Sequence, residues 1–179
     1  MLRGVNVGPH NRIKMDALRA LYQSLKLRDA QTYVQSGNVI FRTDERDFAL
    51  LAKRLQNAIE REFGFRSDVV IRTTAELRDV VARNPFAKSR GIEPSKLLVT
   101  FLAVRPAPEA RAAVLKIDTA PDELHIDGRE IYIYYRTGMA RPKVPWMSVV
   151  NMLKTTGTGR NWNSVVAMLE IAEKLEAAG

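Results

Sequence analysis

The segment Thr155–Asn161 has the residue types of an anion-binding turn and lies directly before a predicted helix. Its glycines would let backbone amides point at a ligand, and the N-terminal end of the helix would add partial positive charge. Arg160 could add a forked pair of hydrogen bonds to a phosphate. The spacing is neither that of a P-loop nor that of a dinucleotide-binding fingerprint. The alternative is a tight turn in which Asn161 or Asn163 caps the helix and Trp162 packs beneath it.

Two polar loops of the first half form a second candidate binding region. They are residues 6–12, Asn-Val-Gly-Pro-His-Asn-Arg, and the turn at residues 35–38, Gln-Ser-Gly-Asn. Amide side chains donate and accept hydrogen bonds, which suits a base edge or a small polar ligand. Tight turns, however, require the same residue types. The candidate ligand-binding residues of the two regions are Arg3, Asn6, Gln35, Ser36, Asn38, Thr158, Arg160 and Asn161.

The residue types give little support to metal or nucleophile chemistry. The chain has no cysteine, which excludes disulfides, thiolate metal sites and cysteine nucleophiles. Its two histidines, His10 and His125, lie in different halves and have no carboxylate at helical ligand spacing. No G-x-S-x-G nucleophile elbow is present. Paired catalytic carboxylates follow no spacing rule, so the sequence nominates no catalytic residue, and neither a metal nor a cofactor is predicted.

Positive charge is concentrated in the N-terminal half. The net charge is +8; residues 1–90 hold 17 Lys+Arg against 10 Asp+Glu, and residues 91–179 hold 11 against 10. Such an excess either attracts polyanions or simply keeps the surface solvated. An RNA-recognition motif is excluded, because its central strands need stacking aromatic residues and the corresponding strands here offer at most one. A weaker basic stripe on the second predicted helix comprises Arg46, Lys53, Arg54 and Arg61.

The first half is predicted to contain a strand, a helix, a hairpin, a second helix and a strand. The first strand covers residues 2–7, and the hairpin turns at Gly37, which supplies a positive φ. Asp44 is predicted to cap the second helix, which ends at Gly64. A strand at residues 68–72 and a third helix follow. The apolar face of the first helix is formed by Met15, Leu18, Leu21, Tyr22 and Leu25, and that of the second helix by Phe48, Leu51, Leu55, Ile59 and Phe63.

The same order of elements repeats after a predicted linker at residues 87–96. A strongly apolar strand at residues 97–103 is followed by a short helix and by a hairpin that turns at Asp127-Gly128. A helix at residues 145–153, an extended piece at residues 156–160 and a final amphipathic helix complete the chain.

Each half therefore follows the βαββαβ plan, which predicts an α+β fold with two ferredoxin-like halves, an internal duplication, in one compact unit. The predicted division is a first subdomain at residues 1–86, the linker at 87–96 and a second subdomain at 97–179. Helices cover one sheet face in this plan and leave the other open. The open faces would pack on each other, on a ligand or on a second chain, so a homodimer is one option.

No apolar run reaches the roughly 18–20 residues that cross a bilayer. The N-terminal residues also lack the basic and apolar regions of a signal peptide. We therefore expect a cytoplasmic protein without membrane contact. Because strand-like residues begin at Leu2, we also expect a residue or two of the first strand to precede this chain.

Several motifs along the chain resemble the signature of a known family. They are Leu2–Gly8, Met15 with Leu18-Arg19, Thr32–Val39, Asn84–Phe86, Gly128–Glu130 and Gly159–Asn163. Together they are similar to the bacterial family called domain of unknown function 1697. The resemblance implies a duplicated α+β fold and no particular activity. The chain departs from the family pattern at Gly8-Pro9-His10, where Gly-Gly or Gly-Lys is usual, and the proline removes one backbone donor.

The function that the sequence favours is the binding of a phosphate-bearing ligand, either nucleic acid or nucleotide. The basic N-terminal half and the turn at residues 158–163 would provide the contacts. Two alternatives stay open: a hydrolase or transferase whose site the sequence does not announce, and a non-catalytic homodimeric interaction protein. A deep pocket around a carboxylate with a strongly shifted pKa would favour the enzyme, whereas a shallow basic groove would favour binding.

Overall fold

Helices and antiparallel sheets make a mixed α+β architecture in this computed structural model, which describes residues 1–140 and 142–178. Unit 1 comprises Met1–Thr74 together with the end of the last helix from Ala167 onward, and unit 2 comprises Ala75–Val166. These bounds differ from the division expected from the sequence, which stays a prediction.

The elements follow one another with short connections. In chain order they are α1 (Met15–Ser24), β1 (Arg28–Tyr33), β2 (Asn38–Arg42), α2 (Phe48–Phe63), α3 (Thr74–Ala82), β3 (Leu97–Leu102), α4 (Pro108–Val114), β4 (Glu123–Asp127), β5 (Glu130–Tyr134), α5 (Trp146–Met152), β6 (Gly157–Asn161) and α6 (Trp162–Ala177). A single 3-10 turn at Pro94–Lys96 leads into β3.

The core of unit 1 lies between the β1–β2 hairpin and the apolar faces of α1 and α2. Leu18 and Tyr22 of α1 and Leu55 of α2 are buried there, as their helical spacing predicts. Gly37 adopts φ +74° in the hairpin turn, and a Cβ at this position would lie 2.8 Å from the Cβ of Leu2. Both the left-handed backbone and the close approach therefore require glycine here.

The two strands predicted at residues 2–7 and 68–72 are wrong in extent. The structure contains in their place only an isolated antiparallel bridge between Leu2 and Val69. From Gly4 onward the backbone takes positive φ values at alternate residues, beginning with +66° at Gly4. An extended strand needs negative φ throughout, so the chain leaves the bridge almost at once.

The sequence predicted Asp44 as the N-cap of α2, but this prediction is wrong. The N-cap in the structure is Asp47. Asp47 Oδ1 accepts a hydrogen bond of 2.9 Å from the Leu50 amide. Asp44 instead forms a two-pronged ion pair with Arg28, at 2.8 and 3.0 Å. The other end of the helix is confirmed, because Gly64 has the left-handed conformation with φ 75°.

Unit 2 contains one antiparallel sheet with the strand order β4-β5-β3-β6. Its elements β3, α4, β4, β5, α5 and β6 follow the strand–helix–strand–strand–helix–strand order. Every residue of β3 and β5 is buried, so both faces of the central strands are covered within the chain. One face packs on α4 and α5 through Ile131 and Ile133, and on the other the Tyr132 hydroxyl donates to the Val80 carbonyl at 2.9 Å.

Candidate functional site

The segment predicted as an anion-binding turn is a strand of the unit 2 sheet. Residues Gly157–Asn161 are β6 and pair with β3 along its length. Pairing takes alternate amides of the strand away from any ligand. A Cβ on Gly157 would lie 2.9 Å from the Phe101 carbonyl oxygen, so the glycine serves a close backbone approach. The extended piece predicted at residues 156–160 therefore agrees with β6, whereas the same segment does not form the turn that the anion-binding hypothesis expected.

Arg160 and Thr158 lie inside the protein, where they are 7% and 2% exposed. The Arg160 guanidinium donates to Thr158 Oγ1 at 2.6 Å and to the Gly159 carbonyl at 2.8 Å. Burial lowers the pKa of Arg160 to about 10, which leaves the side chain cationic at neutral pH. A cation held in this way contributes to internal structure and does not face a ligand in solvent.

Asn161 acts as the cap that the alternative interpretation of this segment predicted. Its Oδ1 accepts from the Asn163 amide at 3.0 Å at the start of α6. Its Nδ2 donates to the Ser95 carbonyl at 2.8 Å. Both ends of the amide are therefore satisfied by backbone groups.

The polar residues of the N-terminal candidate region hold a loop against the hairpin turn. Asn6 Nδ2 donates to the carbonyls of Ile13 at 3.0 Å and Gln35 at 2.9 Å. Asn6 Oδ1 accepts from the Ile13 amide at 2.9 Å. One side chain thus joins residues 6, 13 and 35, and the exposed Gln35 side chain remains at the surface.

The remaining candidates of this region also contact the protein itself. Asn38 is fully buried, and its Nδ2 donates to Ser36 Oγ at 2.9 Å and to the Tyr33 carbonyl at 3.3 Å. Arg3 pairs with Asp68 at 3.3 Å. The structure brings Asn6, Gln35, Ser36 and Asn38 together around one turn of unit 1. Thr158, Arg160 and Asn161 belong to unit 2.

An open groove of about 420 Å³ lies on unit 1 beside α2. Its wall from α2 comprises Arg54, Asn57, Glu60 and Arg61, and Leu25 closes it from the end of α1. Residues 54, 57 and 61 are three and four positions apart, so they share one helix face. Sequence reasoning had singled out the two arginines but not Asn57, Glu60 or the leucine. The groove requires α1 and α2 to pack together, and no local sequence pattern shows that.

Arg54 and Arg61 form no ion pair with a carboxylate of the described residues. Both are exposed, as is Lys53, and none of the three forms an ion pair among residues 1–140 and 142–178. The two arginines are two helical turns apart, or about 10 Å along the axis. Arg46, the fourth member of the predicted stripe, precedes α2 and lies outside the helix.

Two further features, a cluster of metal ligands and a membrane-spanning helix, are absent from the part of the chain that the structure describes. No group of three or more His, Asp or Glu side chains there could hold a metal ion. No helix in that part of the chain is long and apolar enough to cross a membrane.

Residues 1–132 match the family model described as "Protein of unknown function (DUF1697)". The chain belongs to this family. No curated protein matches it. A solved structure, that of the conserved bacterial protein SP0830 from Streptococcus pneumoniae, is similar over 96% of each chain, with a TM-score of 0.67 and 19% sequence identity. At that identity the likeness concerns the fold alone.

The groove lies entirely within the residues that match the DUF1697 model, since its lining runs from Leu25 to Arg61. The β6 segment at residues 157–161 lies beyond the matched range. Arg54 and Arg61 are thus part of the DUF1697 region of the chain.

Proposed function

We propose that this DUF1697 protein binds a phosphate-bearing ligand, either nucleic acid or nucleotide, through the groove of unit 1. The observation that carries the proposal is the pair Arg54 and Arg61, exposed in one groove and without ion pairs in the described chain. A guanidinium group offers several donors in a fork that matches phosphate oxygens. Asn57, between the two arginines on the same face, adds a neutral donor and acceptor.

The shape of the groove favours binding over hydrolysis or group transfer. Catalytic carboxylates are concentrated in clefts, where burial and neighbouring charges shift the pKa of the acid or base. This groove is open to solvent, and the carboxylate in its wall, Glu60, is exposed. No observation in unit 1 therefore specifically supports the alternative of a hydrolase or transferase.

We also propose that the two units follow one ferredoxin-like plan. In unit 2 the strand order β4-β5-β3-β6 is that of a single βαββαβ unit. In unit 1 the Leu2 amide bonds to the Gly37 carbonyl, and the Arg3 amide bonds to the Asp68 carbonyl. The N-terminal segment thus lies between the hairpin and the Asp68 segment, as β3 lies between β5 and β6, which supports an internal duplication.

The test is fluorescence anisotropy of labelled RNA and DNA oligonucleotides and of a labelled nucleotide, each measured across a salt series. We expect oligonucleotide affinity to fall with salt, with a slope in log K against log salt of roughly −0.7 per phosphate contacted in a single strand. The double variant Arg54→Ala/Arg61→Ala should lose about tenfold in affinity or more, because two charged hydrogen-bonding groups disappear.

The matched control is Arg19→Ala/Lys143→Ala, which removes the same total charge. Both control cations are already paired, Arg19 with Asp16 at 2.6 Å and Lys143 with Asp118 at 2.7 Å. The control should bind as the unaltered protein does. Equal losses in both double variants would show that net charge alone attracts the ligand, and absence of binding to every probe at low salt would refute the proposed function.

A further inference from the structure

We infer that the groove beside α2 takes a small phosphorylated molecule that also carries hydrogen-bond donors, of the nucleoside monophosphate class, and not the backbone of a nucleic acid. This inference rests on the proposed function and narrows it. The property that separates the two ligands is the acid in the groove wall, Glu60.

Glu60 gives the groove both signs of charge. Its carboxylate lines the same wall as the guanidinium groups of Arg54 and Arg61. A polynucleotide backbone presents a phosphate at every step, so a strand along this wall would bring phosphates towards a carboxylate. A mononucleotide has one phosphate at one end and donor groups at the other. Glu60 can accept hydrogen bonds from such hydroxyl or amino donors.

The spacing along α2 places complementary groups in the order that such a ligand needs. Asn57 is three residues from Arg54 and from Glu60 and four from Arg61, so it is a neighbour of all three on the helix surface. Arg54 and Glu60 are separated by about 9 Å along the helix axis. Arg54 therefore stands at the end of the wall away from the acceptor Glu60, whereas Arg61 directly follows Glu60 in the chain.

The dimensions of the groove also fit a small molecule. Its volume of about 420 Å³ lies within the roughly 300–1,000 Å³ of typical small-ligand sites. Leu25 adds one apolar side chain to the otherwise polar lining, against which part of a sugar or base can lie.

The experiment is isothermal titration of the full chain with adenosine monophosphate and, separately, with inorganic phosphate. We expect the unaltered protein to bind the nucleotide more tightly than phosphate, and Arg54→Ala to weaken both. Glu60→Gln should weaken nucleotide binding by about tenfold, because a charged acceptor is replaced by a neutral one. The same change should strengthen phosphate binding, because a repulsive charge has gone.

The matched control is Glu62→Gln, which removes the same charge from an exposed position of α2 outside the groove wall. It should shift the affinities for nucleotide and phosphate in parallel and only slightly. Thermal melting of both variants should match that of the unaltered protein, since both positions are exposed.

Three results would overturn the inference and leave the proposed function standing. The first is an increase in both affinities in Glu60→Gln, and the second is tighter binding of inorganic phosphate than of the nucleotide. The third is a bound, labelled oligonucleotide whose anisotropy does not fall when adenosine monophosphate is added. Absence of binding by nucleotide, phosphate and oligonucleotide alike would overturn the inference and the proposed function together. Opposite shifts of the two affinities in Glu60→Gln, with parallel shifts in the control, would establish both.

Discussion

Asn6 illustrates how a residue suited to ligand recognition can be used entirely by the protein. Its side chain makes three hydrogen bonds, two with Ile13 and one with Gln35, and its own φ is +57°. Asparagine tolerates this left-handed conformation better than most residues. The residue types that bind small polar ligands are also those that close loops, so composition alone does not separate the two roles.

Replacing Asn6 by alanine should lower the free energy of unfolding by about 2–3 kcal/mol, because three hydrogen bonds are lost and alanine is strained at positive φ. Asn6→Gly loses the same hydrogen bonds without that strain, so it should cost roughly 1 kcal/mol less. Urea unfolding of both variants measures the difference. If both changes cost under about 0.5 kcal/mol, water replaces the side chain and the loop is not held by Asn6.

At the scale of elements, the parts of the fold that depend on local pattern were predicted well. The apolar periodicity of α1 and α2, the hairpin turns and the buried strand β3 all agree with the structure. The errors arose where long-range partners decide. Residues 156–160 allowed two interpretations, an extended piece and an anion-binding turn, and the close approach of β3 to Gly157 and Gly159 decides for the strand. No local spacing of residues indicates which strand, more than fifty residues away, will pair with this segment.

The choice between Asp44 and Asp47 as the cap of α2 yields a prediction for this element. Asp47→Ala should destabilise the protein by about 1 kcal/mol, because the Leu50 amide loses its acceptor. Asp44→Ala should leave stability nearly unchanged, since its ion pair with Arg28 is exposed. Urea unfolding at neutral pH distinguishes the two variants. A larger loss for Asp44→Ala would mean that the hairpin ion pair and not the cap fixes the start of the helix.

The pH dependence of the Asp44 variant provides a second readout. The hydrogen bond from Arg28 lowers the pKa of Asp44 below its usual value. Any stability from this pair is therefore present above the pKa of the unfolded chain and is lost as the pH falls through the lowered value. The small difference between the unaltered protein and Asp44→Ala should accordingly vanish in acid.

At the scale of the whole molecule, the sequence located the positive charge but not the site that uses it. The excess of Lys and Arg over Asp and Glu within residues 1–90 is visible in the letters. The groove is not, because Leu25 and the lining of α2 become neighbours only when two helices pack. The argument for a homodimer through an open sheet face also loses its premise in unit 2, where both faces of β3 and β5 are buried within the chain.

One of the two edge strands of the unit 2 sheet, β4, is also protected from pairing with a second chain, and we expect a monomer of about 20.2 kDa by light scattering. Along the edge strand β4, Arg111 donates to the Ile126 carbonyl at 2.9 Å, which occupies an acceptor that a second chain would need. Ion pairs from Arg83 to Asp127 and from Arg136 to Glu123 add charge at both ends of the strand.

Arg111→Ala tests whether the hydrogen bond from Arg111 to the Ile126 carbonyl prevents a second chain from pairing with β4. Removing the guanidinium group uncovers the Ile126 carbonyl and should raise self-association. Light scattering would then give a mass that increases with protein concentration. Arg19→Ala, a change on α1 that removes the same charge, should not alter the mass. A mass near twice that of one chain for the unaltered protein at every concentration would contradict the monomer. An Arg111→Ala variant that stays monomeric would instead show that the charged ends of β4 are sufficient to keep its edge unpaired.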